Sequence, residues 1–422
     1  MVRRLTMALV AIALVAVACS KAGPETTIRL QAFGDGEEVA AYQTLIDAFE
    51  DENPDIAVEL IAIPSQGDHM AKLAASFASG DQPEVWISNY RRMGQLARNG
   101  AVEPIRDLLP DVEWDDFYDI ALDAFTVDGK LQCAPQNVSN PVIYYNTEIF
   151  ADAGVQPPKD GWSWEEFIEV AKKVTLDTDD DGEVDIYGFG VEPSLIRLAP
   201  FVWQNGGQVV DDTRNPTRIG LLGEEAVEAM SWFLDLRREH KVSPQQDEVE
   251  AEGFEDRFAN GRLAMLMESR RAVPDMRAVE GLEFDVLPLP KGKQSASVLH
   301  SDGYCVSTGI ENLDATKRFV SFALSKEGAG VLAETGRTVP SRRSVAVSDL
   351  YFAPGKEPAN AGVWISALDF MHILPNIAAW NEIEGKADPI VEEWYYSLEP
   401  PEALGIEIDL ATRGLFTEDA GP

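Results

Sequence analysis

The fold class is decided by residues 27–36, Thr27-Ile28-Arg29-Leu30-Gln31-Ala32-Phe33-Gly34-Asp35-Gly36. Polar and apolar side chains alternate along the first seven, which predicts a β-strand, and the glycine-rich end predicts a turn. A helical pattern follows at 42–49, then a second strand at 57–63 and a second helix at 69–79. Because strands and helices alternate, we predict an α/β fold with a parallel sheet.

The rest of the chain is long enough for a second lobe. Ser163 and Glu166 have the spacing of a capping box, which predicts a helix that starts there and extends to about residue 174. The chain has 422 residues, of which 45% are hydrophobic, and this length suits two lobes better than one core. No apolar stretch after residue 18 reaches transmembrane length.

The N-terminal residues predict export. Arg3 and Arg4 precede an apolar run over 8–18 that is too short to span a bilayer, which is typical of a secretory signal peptide. The following Val15-Ala16-Val17-Ala18-Cys19-Ser20 is similar to a bacterial lipobox, although such boxes usually carry Leu where Ala16 stands. An ordinary signal peptide with an incidental cysteine is the alternative. The lipobox predicts a signal peptide at 1–18 and an extracytoplasmic protein that a lipid on Cys19 anchors to the cytoplasmic membrane.

The charge balance excludes several classes of partner. The formal net charge is −37, and removal of residues 1–18 with their two arginines makes it −39. Such a chain repels phosphate backbones and anionic lipids, so we predict no nucleic-acid binding and no membrane contact beyond the lipid anchor.

Signatures of catalysis are scarce. The four histidines are far apart in sequence and form no His-Glu-x-x-His pair. The chain has no Gly-x-Ser-x-Gly elbow and no phosphate-binding loop, and Gly188-Phe189-Gly190 lacks the third glycine of a dinucleotide site. We therefore predict that the protein is not an enzyme and uses no catalytic cofactor.

An acidic loop has the spacing of a calcium site. Asp177, Asp179, Asp181 and Asp185 occupy loop positions one, three, five and nine, and Glu183 offers its carbonyl at seven. Gly182 stands sixth, where an EF-hand loop turns, but Gly188 replaces the bidentate Glu at twelve. The sequence predicts a structural Ca²⁺ site; the alternative is a solvated acidic turn without an ion.

Cys133 and Cys305 remain after removal of the signal peptide. In an oxidising compartment an even pair favours one disulfide, whereas two buried free thiols fit the spacing equally well.

A resemblance to a known family starts at Pro135-Gln136-Asn137-Val138-Ser139-Asn140-Pro141-Val142-Ile143-Tyr144-Tyr145-Asn146. With Trp162-Ser163-Trp164 this segment resembles the central part of family 1 extracellular solute-binding proteins, the maltose-type, oligosaccharide-binding receptors of bacterial ABC importers. Further similar segments follow the order of the family: residues 80–85, 181–189, 206–207, 258–265, 287–290, 302–303 and 338–340. Each motif alone is weak, but together they cover nearly the whole chain after the signal peptide.

The resemblance implies an α/β, two-lobed periplasmic-binding-protein-like fold (type II), in which hinge strands join discontinuous lobes. The N-terminal lobe comprises 19–134 and 305–340, and the C-terminal lobe comprises 135–304 and 341–422. Cys133 and Cys305 then fall on neighbouring crossing strands, which favours a disulfide that staples the hinge. The implied function is capture of a carbohydrate between the lobes, an oligosaccharide or sugar derivative, and its delivery by a monomer to the transmembrane subunits of an ABC permease.

Matching the family's motifs gives candidate ligand contacts: Asp35, Ser88, Asn89, Arg91, Ser139, Asn140, Glu192, Trp203, Arg270, Arg271, Asp302, His372 and Trp380. The three arginines predict a cleft more cationic than a maltose site, hence an acidic or phosphorylated sugar. The alternatives are a secreted polysaccharide-active enzyme, or the same fold binding a glycerol phosphate ester or a polyamine.

Overall fold

The computed structural model describes residues 24–417, so the predicted signal peptide and Cys19 lie outside the described residues. The strands are β1 (Thr26–Phe33), β2 (Ile56–Ile63), β3 (Val85–Asn89), β4 (Thr126–Val127), β5 (Lys130–Leu131), β6 (Ala134–Pro135), β7 (Val142–Asn146), β8 (Met265–Glu268), β9 (Phe284–Leu287), β10 (Ser297–Val298), β11 (Asp302–Val306) and β12 (Met371–His372).

The α-helices are α1 (Gly36–Glu52), α2 (Gln66–Ser79), α3 (Gly94–Arg98), α4 (Ile105–Leu108), α5 (Asp119–Ala124), α6 (Thr147–Asp152), α7 (Trp164–Lys173), α8 (Leu195–Gln204), α9 (Glu224–Arg238), α10 (Gln246–Ala251), α11 (Phe254–Ala259), α12 (Val273–Ala278), α13 (Leu313–Ala323), α14 (Lys326–Glu334), α15 (Arg343–Ala346), α16 (Asp349–Phe352), α17 (Gly362–Ser366), α18 (Trp380–Tyr396) and α19 (Glu402–Thr412). Short 3₁₀ helices cover Trp114–Asp116, Arg270–Ala272, Ala367–Phe370 and Leu415–Thr417. No helix in the described part of the chain is long and apolar enough to cross a membrane.

The first lobe is built on a five-stranded sheet with the order β2-β1-β3-β11-β6. The strands β2, β1 and β3 run parallel, whereas β11 is antiparallel to both β3 and β6. Ile28, Leu30 and Ala32 on β1 are buried beneath the flanking helices, as the alternating pattern predicts. The predicted α/β class with parallel strands is confirmed.

Side-chain caps set where the helices begin. The Asp35 carboxylate accepts the backbone N–H of Glu38 and starts α1, directly after the turn that follows β1. Ser163 and Glu166 form both hydrogen bonds of a capping box at the start of α7, each satisfying a backbone N–H that the helix leaves unpaired. Asp35 is thereby fixed at the end of β1, where the two lobes face each other.

The second lobe is built on a three-stranded antiparallel sheet with the order β8-β7-β9. Successive residues of β7 point to opposite faces, so Tyr144 joins one apolar core and Tyr145 the other. The second core contains Phe201 from α8, Phe233 from α9 and Trp380 from α18.

Two crossing segments join the lobes and pair with each other. Residues 136–141 lead from β6 to β7, and residues 299–301 lead into β11. The backbones of Ser139 and His300 exchange two hydrogen bonds of 2.8 Å. On the first-lobe side of this crossing, Cys133 and Cys305 form a disulfide. The cysteines are the sequence neighbours of Ala134 and Tyr304, which lie opposite each other on the paired strands β6 and β11.

The segment after residue 340 differs from the expected lobe division. Helices α15 and α16 pack against α14, which itself packs against α1 of the first lobe. Gly330 on α14 leaves no room for a side chain beneath Leu350 on α16, so the two helices approach closely. Residues 341–352 therefore pack on the first lobe, although the sequence analysis assigns them to the second.

Candidate ligand-binding cleft

A cavity of about 300 Å³ lies between the two lobes, beside the crossing segments. Its lining includes eight charged side chains, Glu38, Arg91, Glu192, Arg197, Glu268, Arg271, Asp302 and Arg337. Phe33 is the one Phe, Tyr or Trp residue among the described lining residues. The cavity therefore offers many fixed polar groups and a single flat apolar face.

Seven of the thirteen candidate contacts lie at this cavity. Six line it: Asn89, Arg91, Ser139, Glu192, Arg271 and Asp302. Asp35 is at its rim, because its carboxylate accepts a hydrogen bond of 2.7 Å from the lining residue Arg337.

The other six candidate contacts are not among the lining residues. Ser88 is buried and donates to the carbonyl of Asn89, and buried Asn140 accepts from the indole of Trp364 through its carbonyl. Trp203 and His372 stack on each other, with ring centroids 4.7 Å apart. Trp380 is fully buried and donates to Glu384, so its ring packs in the core and presents no face to a ligand.

The sequence analysis expects three arginines to line the cleft, and Arg270 is not one of the residues that line it. It is fully buried, with its guanidinium 4.2 Å from the ring centre of Tyr351 and 5.0 Å from that of Trp364. Its neighbour Arg271 reaches the cavity because consecutive residues of the short helix that follows β8 point in different directions. Arg270 serves as a cation–π contact in the core rather than as a ligand contact.

The second-lobe wall is an ion-pair chain. The Nη2 atom of Arg197 lies 2.5 Å from the carboxylate of Glu268, and Arg271 lies 3.2 Å from the same group. Arg271 also pairs with Glu255. Burial alone raises the pKa of Glu268, but the two arginines outweigh it and lower the pKa to about 2.

The first-lobe wall is more acidic. Arg337 bonds to Asp35 and lies 3.2 Å from Glu38, so two carboxylates share one guanidinium. Burial, with the nearby charges of Asp302 and Asp35, raises the pKa of Glu38 to about 7 despite Arg337. Burial likewise raises the pKa of Asp302, whose carboxylate accepts from the Asn89 amide at 3.1 Å.

A buried ion pair ties the two lobes together beside the cavity. Arg91 and Arg92 follow β3 in the first lobe, and both pair with Glu384 on α18 of the second lobe. Glu384 is 1% exposed and also accepts from the indole of Trp380 at 2.8 Å. One carboxylate thus serves two guanidinium groups, and Arg91 lines the cavity with its guanidinium already held in an ion pair.

Ten polar lining residues are not among the contacts predicted from the sequence: Glu38, Gln66, Asn137, Ser194, Arg197, Glu268, Ser269, His300, Arg337 and Thr338. Arg197, Glu268, His300 and Arg337 come from separate elements that the fold brings together. Arg197 interrupts the otherwise apolar helix α8, and Glu268 ends the otherwise apolar strand β8. A charged residue inside an apolar segment is the one feature of the sequence that could have marked these two residues as part of a site. The Nη1 of Arg197 and the Nε2 of His300 are buried and have no hydrogen-bond partner among the described residues.

Comparison with known proteins assigns the family. The model of the bacterial extracellular solute-binding proteins matches residues 44–358. The chain belongs to this family. The resemblance and the fold predicted from it are therefore confirmed, and the family places the protein outside the cytoplasm and among binding proteins rather than enzymes.

Relatives of this solute-binding protein are distant in sequence. The diacetylchitobiose binding protein DasA of Streptomyces coelicolor is 26% identical over 76% of this chain and 73% of its own length. A maltooligosaccharide ABC transporter solute-binding lipoprotein of Streptococcus pneumoniae is 22% identical over 74% of this chain and 71% of its own. An ABC substrate-binding protein of Listeria monocytogenes, solved with cycloalternan, has a TM-score of 0.83 at 24% identity and covers 92% of this chain and 99% of its own, which shows the same fold.

The acidic loop of this solute-binding protein lies on the surface, apart from the cavity. Oxygens of Asp177, Asp179 and Asp185 all lie within 4.8 Å of one another. The Asp181 carboxylate does not belong to that group and accepts the N–H of Glu183 instead. The structure brings together three of the four side-chain carboxylates predicted as ligands, and the predicted ligand of Glu183 is its backbone carbonyl.

We expect Glu384→Ala to destabilise the protein strongly. The change leaves the buried guanidinium of Arg91 and the partly buried one of Arg92 without their carboxylate, which typically costs about 3–5 kcal/mol. Urea unfolding measures the loss. Glu382→Ala on the same helix is the control; its side chain is 59% exposed and pairs only with Lys386 one turn later, so we expect a loss below about 0.5 kcal/mol. Equal effects of the two changes contradict a structural role for the buried pair.

Proposed function

We propose that this protein captures a carbohydrate in the cavity between its lobes and delivers it to the transmembrane subunits of an ABC permease. One observation carries the proposal: a cavity formed by both lobes, with its polar groups held in place by ion pairs. The names of the Streptomyces and Streptococcus relatives, which refer to diacetylchitobiose and maltooligosaccharide, support a sugar as the ligand.

The chemistry of the cavity suits hydroxyl groups. A sugar hydroxyl both donates and accepts, so it needs acceptors and donors within reach of one ring. Asp302 and Glu38 supply carboxylate acceptors on the first lobe, and Arg197 supplies an unpaired N–H on the second. Phe33 offers an apolar face for the C–H side of a ring.

Release to a permease requires that the lobes separate. The Arg91–Glu384 pair and the hydrogen bond from Arg337 to the carbonyl of Arg271 hold first-lobe residues against second-lobe residues. A ligand that contacts both walls adds to these interlobe contacts and so shifts the population toward the closed form. We propose that the permease recognises this closed monomer.

We expect the chain without residues 1–18 to bind a sugar stoichiometrically and Arg197→Lys to weaken that binding about tenfold. Lysine keeps a charge for Glu268 but loses the planar guanidinium at the cavity wall and its additional N–H donors. Isothermal titration calorimetry with mono- and disaccharides measures the affinity. Arg218→Lys, at a side chain that is 69% exposed, is the matched control and leaves the affinity unchanged.

Chromatography of the sugar after incubation separates this function from the secreted-enzyme alternative. Intact sugar at full occupancy agrees with a receptor. Conversion of the sugar by the wild type contradicts it.

We propose further that a lipid on Cys19 holds the protein at the outer face of the cytoplasmic membrane. The lipobox-like sequence before Cys19 and the Streptococcus relative, which is named a lipoprotein, support this anchor. We expect Triton X-114 partitioning to place the wild type in the detergent phase and Cys19→Ser in the aqueous phase. Wild-type protein in the aqueous phase contradicts lipidation.

The acidic loop supports a proposal of structural calcium binding. Three convergent carboxylates repel one another unless a cation neutralises them, and Gly182 adopts the positive φ of 94° that the loop's turn needs. We expect millimolar CaCl₂ to raise the melting temperature of the wild type by several degrees, through binding to the folded state alone. Asp177→Asn removes the effect, and Asp180→Asn, at the fourth loop position, retains it. A wild-type melting temperature that calcium does not change contradicts the proposal.

A further inference from the structure

The cavity holds more negative charge than its arginines balance. Each of the four arginines that line it already has a carboxylate partner. Two of these partnerships use carboxylates from outside the lining, since Arg91 pairs with Glu384 and Arg271 pairs with Glu255. When Asp35, the partners Glu255 and Glu384, and Arg92, which shares Glu384, are counted with the lining, seven carboxylates stand against five guanidinium groups.

Two lining carboxylates, by contrast, have no ion pair among the described residues. Asp302 accepts only from neutral amide groups, of which the Asn89 amide is at 3.1 Å. Glu192 is exposed to the cavity and forms no hydrogen bond or ion pair within the described chain. The charge of the cavity that no ion pair neutralises is therefore negative.

The excess is concentrated on the first-lobe wall. Asp35, Glu38 and Asp302 stand there against Arg337 and against Arg91, whose guanidinium is already paired with Glu384. Burial raises the pKa of both Glu38 and Asp302, and for Glu38 the neighbouring negative charges of Asp302 and Asp35 raise it further. A cation placed between these two groups restores their ionised forms and gains two charge-assisted hydrogen bonds.

The side of the cavity formed by Arg197 and His300 requires a ligand group of a different chemistry. The unpaired Nη1 of Arg197 donates, and the Nε2 of His300 belongs to an imidazole that burial keeps neutral by lowering its pKa. Hydroxyl groups satisfy both atoms, whereas an aliphatic polyamine leaves the Arg197 N–H without an acceptor.

We propose that the ligand is an amino sugar, a hydroxylated ring with one protonated amine, and that Glu38 and Asp302 bind its ammonium group. This inference rests on the proposed function and narrows its substrate class. It replaces the acidic or phosphorylated sugar predicted from the sequence, since an anion would meet the unbalanced carboxylates of the first-lobe wall.

The test compares amino sugars with their neutral counterparts. Isothermal titration calorimetry of the chain without residues 1–18 uses glucosamine, galactosamine and mannosamine, each beside its N-acetyl form, with glucuronate and spermidine as further probes. We expect an amino sugar to bind about tenfold tighter than its N-acetyl form because only the free amine forms the ion pairs. Asp302→Asn keeps the acceptor for Asn89 and removes most of the preference, whereas Glu59→Gln, at an exposed carboxylate on β2, retains it.

Proton release gives a second readout. At about pH 6.5 the free protein carries a partly protonated Glu38, and an ammonium ligand displaces that proton while a neutral sugar does not. Titrations in buffers of different ionisation enthalpy measure the proton. The charged and titratable groups that act on Glu38 and Asp302 are Asp35, Tyr42, Arg91 and Arg337, and the neutral amides of Asn89 and Asn137 form hydrogen bonds with Asp302.

The outcomes separate the inference from the proposed function. Neutral sugars that bind as tightly as amino sugars, or glucuronate that binds more tightly, overturn the inference and leave a sugar receptor. Spermidine that binds as tightly as an amino sugar overturns the sugar as well. If no sugar of the panel binds, the proposed function fails and the inference fails with it.

Discussion

The pairing of the two crossing segments is the constraint on which the other features depend. Residues 136–141 and 299–301 run side by side between the lobes, and the backbones of Ser139 and His300 exchange hydrogen bonds there. The disulfide of Cys133 and Cys305 cross-links positions 172 residues apart on the first-lobe side. Because the crossing holds the ends of β3, β8 and β11 near one another, side chains at those ends meet in one cavity.

Ion pairs, rather than stacked aromatic rings, define that cavity. Its one Phe, Tyr or Trp residue is Phe33, whereas its guanidinium and carboxylate groups hold each other in fixed positions. Fixed polar groups lose little freedom when a ligand binds, so such a wall favours a small polar solute over an extended apolar one. Ion pairs also hold the two lobes together, because the buried carboxylate of Glu384 on the second lobe pairs with two arginines of the first lobe.

Much of the fold follows from local sequence, and much less of the site does. The β1 alternation and the Ser163–Glu166 capping box act over a few residues, so they predict elements that the structure contains. Candidate contacts at the end or the start of a strand, such as Asn89 and Asp302, lie at the cavity. They fail for Trp203 and Trp380, because an aromatic residue in a helix packs equally well on a core as on a ligand.

By itself, the sequence determined the α/β class and the family, since these depend on periodicity and on the order of short motifs. Only the tertiary structure decided the charge of the cavity. Arg270 and Arg271 are neighbours in sequence, yet one is buried between two aromatic rings and the other faces the cavity. Arg91 is balanced by a carboxylate 293 residues away. Charge compensation depends on distances in space between residues far apart in the chain, and no local pattern encodes it.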